Sequence, residues 1–262
     1  MQNIHISTIT SVGSFPKDIK FYSKNLFNNI NINSFITFIE SQEGGYKGWC
    51  DKLSKKKRKV NSKRKLFMNM VQLVLNFEGK NITIKLFTNS TFQITGGIDM
   101  EQGKRAMLEL IKYIADLDSN YVPEERIFNS FNVNIESYSV CLINSDIDIG
   151  KSISRENLFQ LACDEGMFCT LSTDQYPGCQ IRYYYNKDKT FSKNGICQCN
   201  QICDGKGKNN FCGNGNCKKV TISAFASGKI LIHGAQSMEQ IKEGYNFIIN
   251  FIEENKSEVI LR

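Results

Sequence analysis

The stretch FASGKILIHGAQSMEQIKEGY, residues 225–245, is the strongest indication of the fold, because an earlier stretch repeats its layout. The earlier copy, FTNSTFQITGGIDMEQGKRAM, covers residues 87–107 and lies 138 positions before it. Each copy runs from a phenylalanine through a polar turn into a short alternating strand. Glycine and a few connecting residues then lead to Met-Glu-Gln, which opens a helix. Self-similarity at this distance predicts one structural unit made twice.

Further strands and helices are predicted around each copy. Alternating apolar and polar side chains indicate opening strands at 4–14 and 132–142. The same pattern predicts strands at 34–41, 70–77, 82–87 and 92–96 in the first half, and at 179–185, 220–225 and 229–234 in the second. A helix is predicted early in each half, with one face formed by Ile19, Tyr22, Leu26 and Ile30 in the first, and by Leu158, Leu161 and Ala162 behind a Ser154 cap in the second.

Each half is predicted to close with an amphipathic helix. Asp99 with Gln102, and Ser237 with Gln240, have the three-residue spacing of a capping box. The buried stripes are Met107, Leu110, Ile111 and Ile114 in the first helix, and Ile241, Tyr245, Ile248, Ile249 and Ile252 in the second.

The order of elements predicts an α+β protein made of two direct, pseudo-symmetric repeats. We expect repeats at 1–118, with a basic insert at 42–66, and at 127–256, with a cysteine-rich insert at 186–218; residues 119–126 link them. Helices would cover one face of each antiparallel sheet and leave the other open. An open face of this kind needs a partner.

Composition narrows the class of protein. The chain has 262 residues, of which 41% are hydrophobic, enough for a sizeable core. No apolar run approaches the roughly 20 residues of a membrane span, and the first residues lack the layout of a signal peptide. We therefore expect a soluble intracellular protein with no membrane partner and no small-molecule substrate.

Positive charge is concentrated in one segment. Residues 47–65 hold ten Lys or Arg against Asp51 alone, a charge of +9, while the whole chain carries +7. The remainder is therefore near neutral at −2. Such a segment suits a polyanionic partner, although a solvated loop is an equal interpretation. Its run KKKRKV, residues 55–60, is typical either of a nuclear import signal or of phosphate contacts.

Five of the ten cysteines lie between 197 and 217. The set Cys199, Cys203, Cys212 and Cys217 supplies four thiolates in Gly- and Asn-rich turns, as a tetrahedral structural zinc requires, and Cys197 could replace Cys199. Free thiols, or a disulfide formed on oxidation, are the alternatives. The chain has only two histidines, and no nearby base accompanies these cysteines, so we expect no enzyme and no required cofactor.

These stretches resemble the core of the TATA-box-binding protein family. YPGCQIR, residues 176–182, is similar to the family's Phe-Pro-Gly strand, and FASGKILIHGA, residues 225–235, to its Phe-x-Ser-Gly-Lys-x-x-x-Thr-Gly-Ala hairpin. FTNSTFQITGG, residues 87–97, is a looser copy. The resemblance covers nearly the whole chain apart from the inserts. It implies a saddle-shaped sheet with helices on the convex face. Divergent members of this kind occur in large DNA viruses and some protists.

The resemblance also implies minor-groove DNA binding through the concave sheet, for which this family is itself the usual example. Phe225 and Tyr176 match the wedge residues of the second repeat, and Phe87 matches the hairpin wedge of the first. The partner of Phe87 is either Phe35, which we favour, or Met70. Further matches are phosphate contacts at Arg182, Ser227 and Lys229, a groove-floor residue at Leu231, and the hairpin threonine at Thr95.

Several positions depart from the family pattern. His233 replaces the threonine of the second hairpin, and Thr91 and Gln93 replace a lysine and an apolar residue in the first. Thr8 and Ser137 stand where the family has paired asparagines. Hydroxyl groups still donate to base acceptors but reach less far. Strict preference for TATA sequences is therefore not expected.

Two main hypotheses follow. The first is a transcription initiation factor that binds and bends AT-rich promoter DNA and contacts a B-type initiation factor and RNA polymerase. The second is an interaction module of the transcription machinery that has lost DNA bending. An accessory domain of a repair or RNase H-type enzyme is a weaker third. We expect a nuclear location, or a virion or cytoplasmic virus factory for a viral protein.

Overall fold

The computed structural model describes residues 4–49 and 69–261. The chain divides into two compact units, a first unit of Thr8–Cys141 and a second unit of Met1–Ser7 together with Leu142–Arg262. The division falls inside two long strands. The predicted repeat bounds, 1–118 and 127–256 with a linker at 119–126, therefore differ from the bounds of the compact units. One reason is that Ile127 and Phe128 are buried in the core of the first unit.

The described elements up to residue 125 follow the order expected of the first repeat. The strands are β1 His5–Ser14, β2 Ile36–Ser41, β3 Gly45–Gly48, β4 Met70–Phe77, β5 Lys80–Phe87 and β6 Thr91–Gly97. The helices are α1 Ser23–Asn29 and α2 Gln102–Asp118, followed by a 3-10 turn at Pro123–Glu125.

The elements that follow build the second copy. The strands are β7 Ser137–Asp148, β8 Cys169–Ser172, β9 Tyr176–Tyr185, β10 Ser192–Lys193, β11 Ile196–Cys197, β12 Lys218–Ala224 and β13 Lys229–Ala235. The helices are α3 Arg155–Asp164, α4 Lys208–Phe211, α5 Met238–Glu254 and α6 Lys256–Val259, with a 3-10 turn at Lys189–Phe191.

Apart from β3 at the edge of the first sheet, the two units have the same strand order. In the first, the sheet runs β3-β2-β4-β5-β6-β1, and in the second it runs β8-β9-β12-β13-β7. The hairpin β5–β6 thus corresponds to β12–β13, β4 corresponds to β9, and β2 to β8. All of these pairings are antiparallel. The predicted α+β class is confirmed.

Both closing helices begin as their sequences predict. The Asp99 carboxylate accepts from the backbone N–H of Gln102 at 2.7 Å, and the Ser237 hydroxyl accepts from that of Gln240 at 3.3 Å. The side-chain carbonyl oxygen of Gln102 in turn accepts the backbone N–H of Ile98, and that of Gln240 accepts the backbone N–H of Gln236. These bonds satisfy amides that a helix start leaves without partners.

The helices bury one face of each sheet. In the first unit the predicted stripe of α2 lies in a core with alternate residues of β4, β5 and β6. In the second unit α5 packs closely, since a Cβ on Gly244 would lie 2.8 Å from Cδ1 of Ile232. Alternation then directs the intervening strand residues to the opposite face. That face carries the candidate site.

Two local predictions were wrong. The second opening strand begins at Ser137, not at residue 132, because Val133 is buried in the core of the first unit. The first helix begins only at Ser23, so Ile19 and Tyr22 precede it, and Tyr22 is exposed. Hydrophobic spacing alone does not distinguish a helical turn from an extended segment that packs on the same core.

Among the described helices, none is both long enough and apolar enough to cross a membrane.

Candidate nucleic-acid interface

The uncovered face of the first sheet is mostly neutral and polar. Strand register places Thr10, Thr95 and Thr83 side by side in one row, which continues to Val74 and Phe38. The hydroxyl oxygens of Thr10 and Thr95 lie 3.3 Å apart. We call this surface the first open face; its other members are Val12, Gln72, Lys85, Phe87, Thr91 and Gln93.

The corresponding surface of the second unit is more strongly charged. One row joins Arg182, Thr221 and His233, and the Arg182 guanidinium donates to the Thr221 hydroxyl. A second row joins Gln180, Ser223, Leu231 and Asp146. The seven residues of these two rows, with Asn144 and Lys229, form the second open face. It contains the predicted residues Arg182, Leu231, His233 and Lys229.

Three polar atoms of the second open face are buried without a hydrogen-bond partner among the described residues. They are Oδ1 of Asn144, Oγ of Ser223 and Nε2 of His233. Ser223 as a whole is fully buried. Buried polar atoms in folded proteins are nearly always paired, with protein groups or with water. Three of the six such atoms in the described part of the chain belong to this face, where water or a polar partner can pair with them.

Asp146 is the acidic group of the second open face. Its carboxylate accepts from Nδ1 of His5 at 2.9 Å and pairs with Nζ of Lys229 at 3.3 Å. Burial would raise the pKa of Asp146, but the donors from His5 and Lys229 outweigh it, so the pKa lies below its usual value. Lys229, predicted to contact phosphate, is thus engaged by a carboxylate in the free chain.

His233 lies in the same row as Thr221 and is half-buried. Burial lowers the pKa of His233, since a charged imidazole would lose its hydration there. The ring is therefore neutral near pH 7 and can donate one hydrogen bond and accept another. It can replace the threonine hydroxyl of the first hairpin, Thr95, in hydrogen-bonding capacity.

Two aromatic rings stand together at the end of the second open face. The ring centroids of Tyr176 and Phe225 are 5.6 Å apart at an interplanar angle of 61°. Both rings lie over Gly178, where an added Cβ would come within 2.9 Å of Tyr176 and 3.2 Å of Phe225. The Tyr-Pro-Gly sequence thus lets a strand pass closely under both rings. Both side chains are partly exposed, as insertion into a partner requires.

In the first unit, Phe87 holds the place that Phe225 holds in the second. Phe87 pairs across the strands with Met70, whereas Phe35 lies at the other end of β4, where its carbonyl accepts from Asn76. The Phe35 ring packs against Tyr113, with centroids 6.0 Å apart. Phe35 is therefore not the partner of Phe87, and the favoured assignment was wrong. Met70 lies directly opposite Phe87, as Gly178 lies opposite Phe225, so by register the place that corresponds to Tyr176 falls two residues before Met70, outside the described residues.

The remaining predicted residues are dispersed. Ser137 bonds with Ser14 at the end of β1, at 2.8 Å between hydroxyl oxygens. Thr8 is half-buried in β1. Ser227 is exposed in the turn between β12 and β13 and accepts weakly from the Lys229 amide at 3.4 Å. The DNA-binding roles of all these residues stay predictions.

Two phenylalanines of the open faces, Phe38 and Phe168, were not among the predicted site residues. Phe38 pairs with Val74 at the outer end of the first threonine row, and Phe168 occupies the same place beside Arg182, whose N–H it accepts at 2.9 Å. Phe38 is covered by Tyr46 of β3, with ring centroids 6.3 Å apart, while Phe168 is 63% exposed. No sequence signal distinguishes these residues from core aromatics; only the strand register reveals them.

Four cysteines converge in the insert of the second unit, but not the predicted four. The sulfur atoms of Cys197, Cys199, Cys203 and Cys217 lie within 4.8 Å of one another. Cys212 is exposed and outside this group, so its assignment as a ligand is wrong. The two-residue strand β11 brings Cys197 inward, which the spacing of the cysteines does not reveal. The basic run at 55–60 lies outside the described residues.

Comparisons with known proteins agree with the sequence resemblance. The chain is 24% identical over 259 residues to a TATA-box-binding protein-like protein of Acanthamoeba polyphaga mimivirus. The match covers 94% of the chain but only 64% of that relative. In structure, the chain matches the TBP of Methanococcus jannaschii with a TM-score of 0.51 and 16% identity, over 96% of this chain and 99% of that one. The chain has the fold of the TATA-box-binding proteins.

No protein-family model matches the chain. The likeness to the TBP fold therefore rests on the overall arrangement of elements and on the two hairpins, and the predicted resemblance is confirmed. The TBP-like hairpins begin at Phe87 and Phe225, which hold the same place in the two units.

Proposed function

We propose that the chain is a non-enzymatic promoter-recognition factor that binds the minor groove of AT-rich duplex DNA through its two open faces. The observation that carries the proposal is the second open face, which holds the unpartnered polar atoms of Ser223 and His233 and ends at the Tyr176–Phe225 pair. The TBP fold and the name of the mimivirus relative support the same conclusion.

The chemistry of the open faces suits an A·T minor groove. That groove presents only acceptors, N3 of adenine and O2 of thymine, and G·C pairs add a protruding amino group. Hydroxyl, amide and neutral imidazole donors such as Thr221, Asn144 and His233 meet acceptors without the desolvation cost of a buried charge. Apolar side chains such as Leu231 and Val74 can lie against the sugars and the groove floor.

In this proposal the Tyr176–Phe225 pair bends the DNA. Inserting Tyr176 and Phe225 at a base step separates the stacked bases, which costs least at flexible pyrimidine–purine steps. The bend then allows more of the open face to contact the groove. On this proposal Lys229 exchanges its bond to Asp146 for a phosphate, and Arg182 contacts the backbone beside it.

The experiment compares the wild type with Tyr176→Ala/Phe225→Ala on a fluorescent AT-rich duplex, with a G·C-rich duplex of equal length. We expect the wild type to prefer and to bend the AT-rich duplex, and the double variant to lose about tenfold or more in affinity. Phe131→Ala is the matched control, because this exposed aromatic lies outside both sheets against Arg126. Thermal unfolding verifies that each variant is folded.

A second candidate is a TBP-fold interaction module of the transcription machinery that does not bend DNA. One observation favours it: the Asp146 carboxylate lies on the second open face, where it would face the negatively charged DNA. If the wild type binds the two duplexes equally and bends neither, this candidate replaces the first.

The proposed partners follow from the fold. We infer that a B-type initiation factor and RNA polymerase contact the chain away from the open faces, and that the chain acts where transcription starts, in a nucleus or in a viral factory or virion. Because the chain spans 64% of its mimivirus relative, parts of that protein have no counterpart here.

A further inference from the structure

We propose that Cys197, Cys199, Cys203 and Cys217 bind one structural zinc ion within the insert that joins β9 to β12. Nothing in the TBP-like hairpins or in the proposed DNA binding requires this site. It is a separate property of the second unit, and it stands on the geometry of the insert.

The positions of the sulfur atoms match tetrahedral coordination. Ligands about 2.3 Å from a zinc ion at the corners of a tetrahedron lie about 3.8 Å apart. The sulfur of Cys217 lies 3.5 Å from that of Cys199 and 3.8 Å from that of Cys197. All four sulfurs lie within 4.8 Å of one another, unbonded but close enough to share one ion.

One of the four sulfur atoms already accepts a hydrogen bond from a buried side chain. The side-chain amide of Asn186, which is fully buried, donates to Cys217 Sγ at 3.3 Å and to the carbonyl of Gly213 at 2.9 Å. Its oxygen accepts the Gly213 amide at 3.1 Å. An N–H aimed at a ligand sulfur is the kind of supporting contact that fixes ligands around a metal. Asn186 thereby fixes the loop that leads to Cys217.

The backbone turns that gather the cysteines need glycine. Gly215, two residues before Cys217, has a φ of +78°, a left-handed conformation that side chains rarely adopt. Gly205, two residues after Cys203, has a φ of +72°, and an added Cβ would lie 2.6 Å from Cβ of Lys219. Turns of this kind fold the chain back so that distant cysteines meet.

The chemistry selects zinc and a structural role. Four thiolates form a soft donor set, and a site with four protein ligands has no open position for a substrate or water. Cys217 is buried and the other three are partly buried, which fits a closed site. Zinc with four thiolates carries a charge of −2, and residues 186–218 hold six lysines against two aspartates, a charge of +4 that compensates it.

Binding would stabilise the insert as a folded unit. The thiols release their protons to solvent as the ion binds, so the affinity rises with pH. The insert has little other support, since β10 and β11 have two residues each and α4 contains left-handed Asn209 and Asn210. Zinc is therefore expected to order the segment between β9 and β12, the two strands at whose far ends Tyr176 and Phe225 stand.

The test measures metal in the full chain purified without chelator. We expect about one zinc per chain by mass spectrometry of the metal content. Cobalt(II) in its place should give the visible absorption of a tetrahedral thiolate site. Cys203→Ser should lose most of the zinc and the cobalt spectrum, and chelator should lower the unfolding temperature of the wild type but not of this variant.

Cys212→Ser is the matched control, because Cys212 lies in the same insert outside the cluster. It should keep about one zinc and an unchanged cobalt spectrum. The proposal is overturned if the wild type holds no zinc, holds iron instead, or contains disulfides among these four residues under reducing preparation. Equal loss of zinc in Cys212→Ser and Cys203→Ser would overturn the assignment of ligands, even if both variants unfold.

Discussion

The hairpins that begin at Phe87 and Phe225 share one backbone conformation in the turn but differ in their side chains. In both, the fourth residue of the turn donates its N–H to the phenylalanine carbonyl, from Ser90 to Phe87 at 3.0 Å and from Gly228 to Phe225 at 2.9 Å. Both fourth residues are left-handed, with φ of 64° and 84°. The second hairpin has glycine there, as this conformation favours, whereas the first has serine.

The side chains around the hairpins differ accordingly. Ser90 is held by a hydrogen bond from its hydroxyl to the carbonyl of Ile19, which offsets the strain of its conformation. Phe225 stands beside an aromatic and Phe87 beside Met70. The turn of the second hairpin is held by backbone bonds instead, from Ile149 to Gly228 and from Ile153 to Ala226. Because the second hairpin has the paired rings, we expect the second unit to dominate the proposed DNA binding.

The largest effect is expected from exchanging the turn residues. A Cβ at Gly228 would lie 2.1 Å from the carbonyl oxygen of Lys151, so Gly228→Ser adds a backbone clash to a left-handed conformation. We expect it to lower the free energy of unfolding by about 3 kcal/mol. Ser90→Gly relieves strain but loses a hydrogen bond, and should change it by less than about 1 kcal/mol. Urea denaturation measures both; similar losses would show that the turns are equivalent.

A smaller effect concerns a buried serine in each unit. The Tyr245 hydroxyl donates to Ser145 at 3.3 Å in the second unit, and the Tyr138 hydroxyl donates to Ser11 at 2.9 Å in the first. Tyr245 is buried and Tyr138 half-buried, and both serines are buried. Tyr245→Phe should therefore cost about 1 kcal/mol of unfolding free energy and Tyr138→Phe less, since water can replace its hydroxyl more easily. The reverse order in denaturation would contradict this account of the two cores.

The third prediction replaces Asp146, the acidic residue of the second open face, with valine. Asp146 lies in the row of Leu231, and Val12 lies on the first open face. Asp146→Val removes a negative charge facing DNA and releases Lys229, so affinity for an AT-rich duplex should rise about threefold, or roughly 0.7 kcal/mol. Fluorescence anisotropy at two salt concentrations measures it. Unchanged affinity would place Asp146 outside the interface.

The smallest effect is expected from His233. Burial lowers its pKa below the ordinary 6.5, so the unfolded chain binds this proton first as the pH falls. The residue therefore makes the free energy of unfolding decrease from about pH 6.5 downward, until the folded imidazole is protonated. His233→Thr, which restores the residue type of Thr95, should flatten the decrease between pH 7.5 and 5.5. A slope identical to the wild type would show that His233 does not cause it.

Much of the fold could be predicted because its signals are local. The capping pairs at Asp99 and Ser237, the alternation in β4 and the duplicated hairpin each lie within a few residues of one another. The fold class and the order of elements along the chain followed from them.

The errors arose where distant segments decide the outcome. Phe35 is separated from Phe87 by the pairing of β4 with β5, and Cys212 is excluded because β11 brings Cys197 to the cluster instead. Asn144 and Ser223 resemble ordinary strand residues until the register places them on one face. Such positions depend on long-range pairing, which sequence spacing does not record.

The most direct test of the central claim compares two single variants, Phe225→Ala and Phe87→Ala, for affinity to the same AT-rich duplex. The Tyr176–Phe225 pair acts as a unit, so Phe225→Ala should cost about tenfold in Kd and Phe87→Ala no more than about threefold. Thermal unfolding of both variants separates lost contacts from lost folding. Equal losses in affinity, or a larger loss for Phe87→Ala, would contradict the dominance of the second unit.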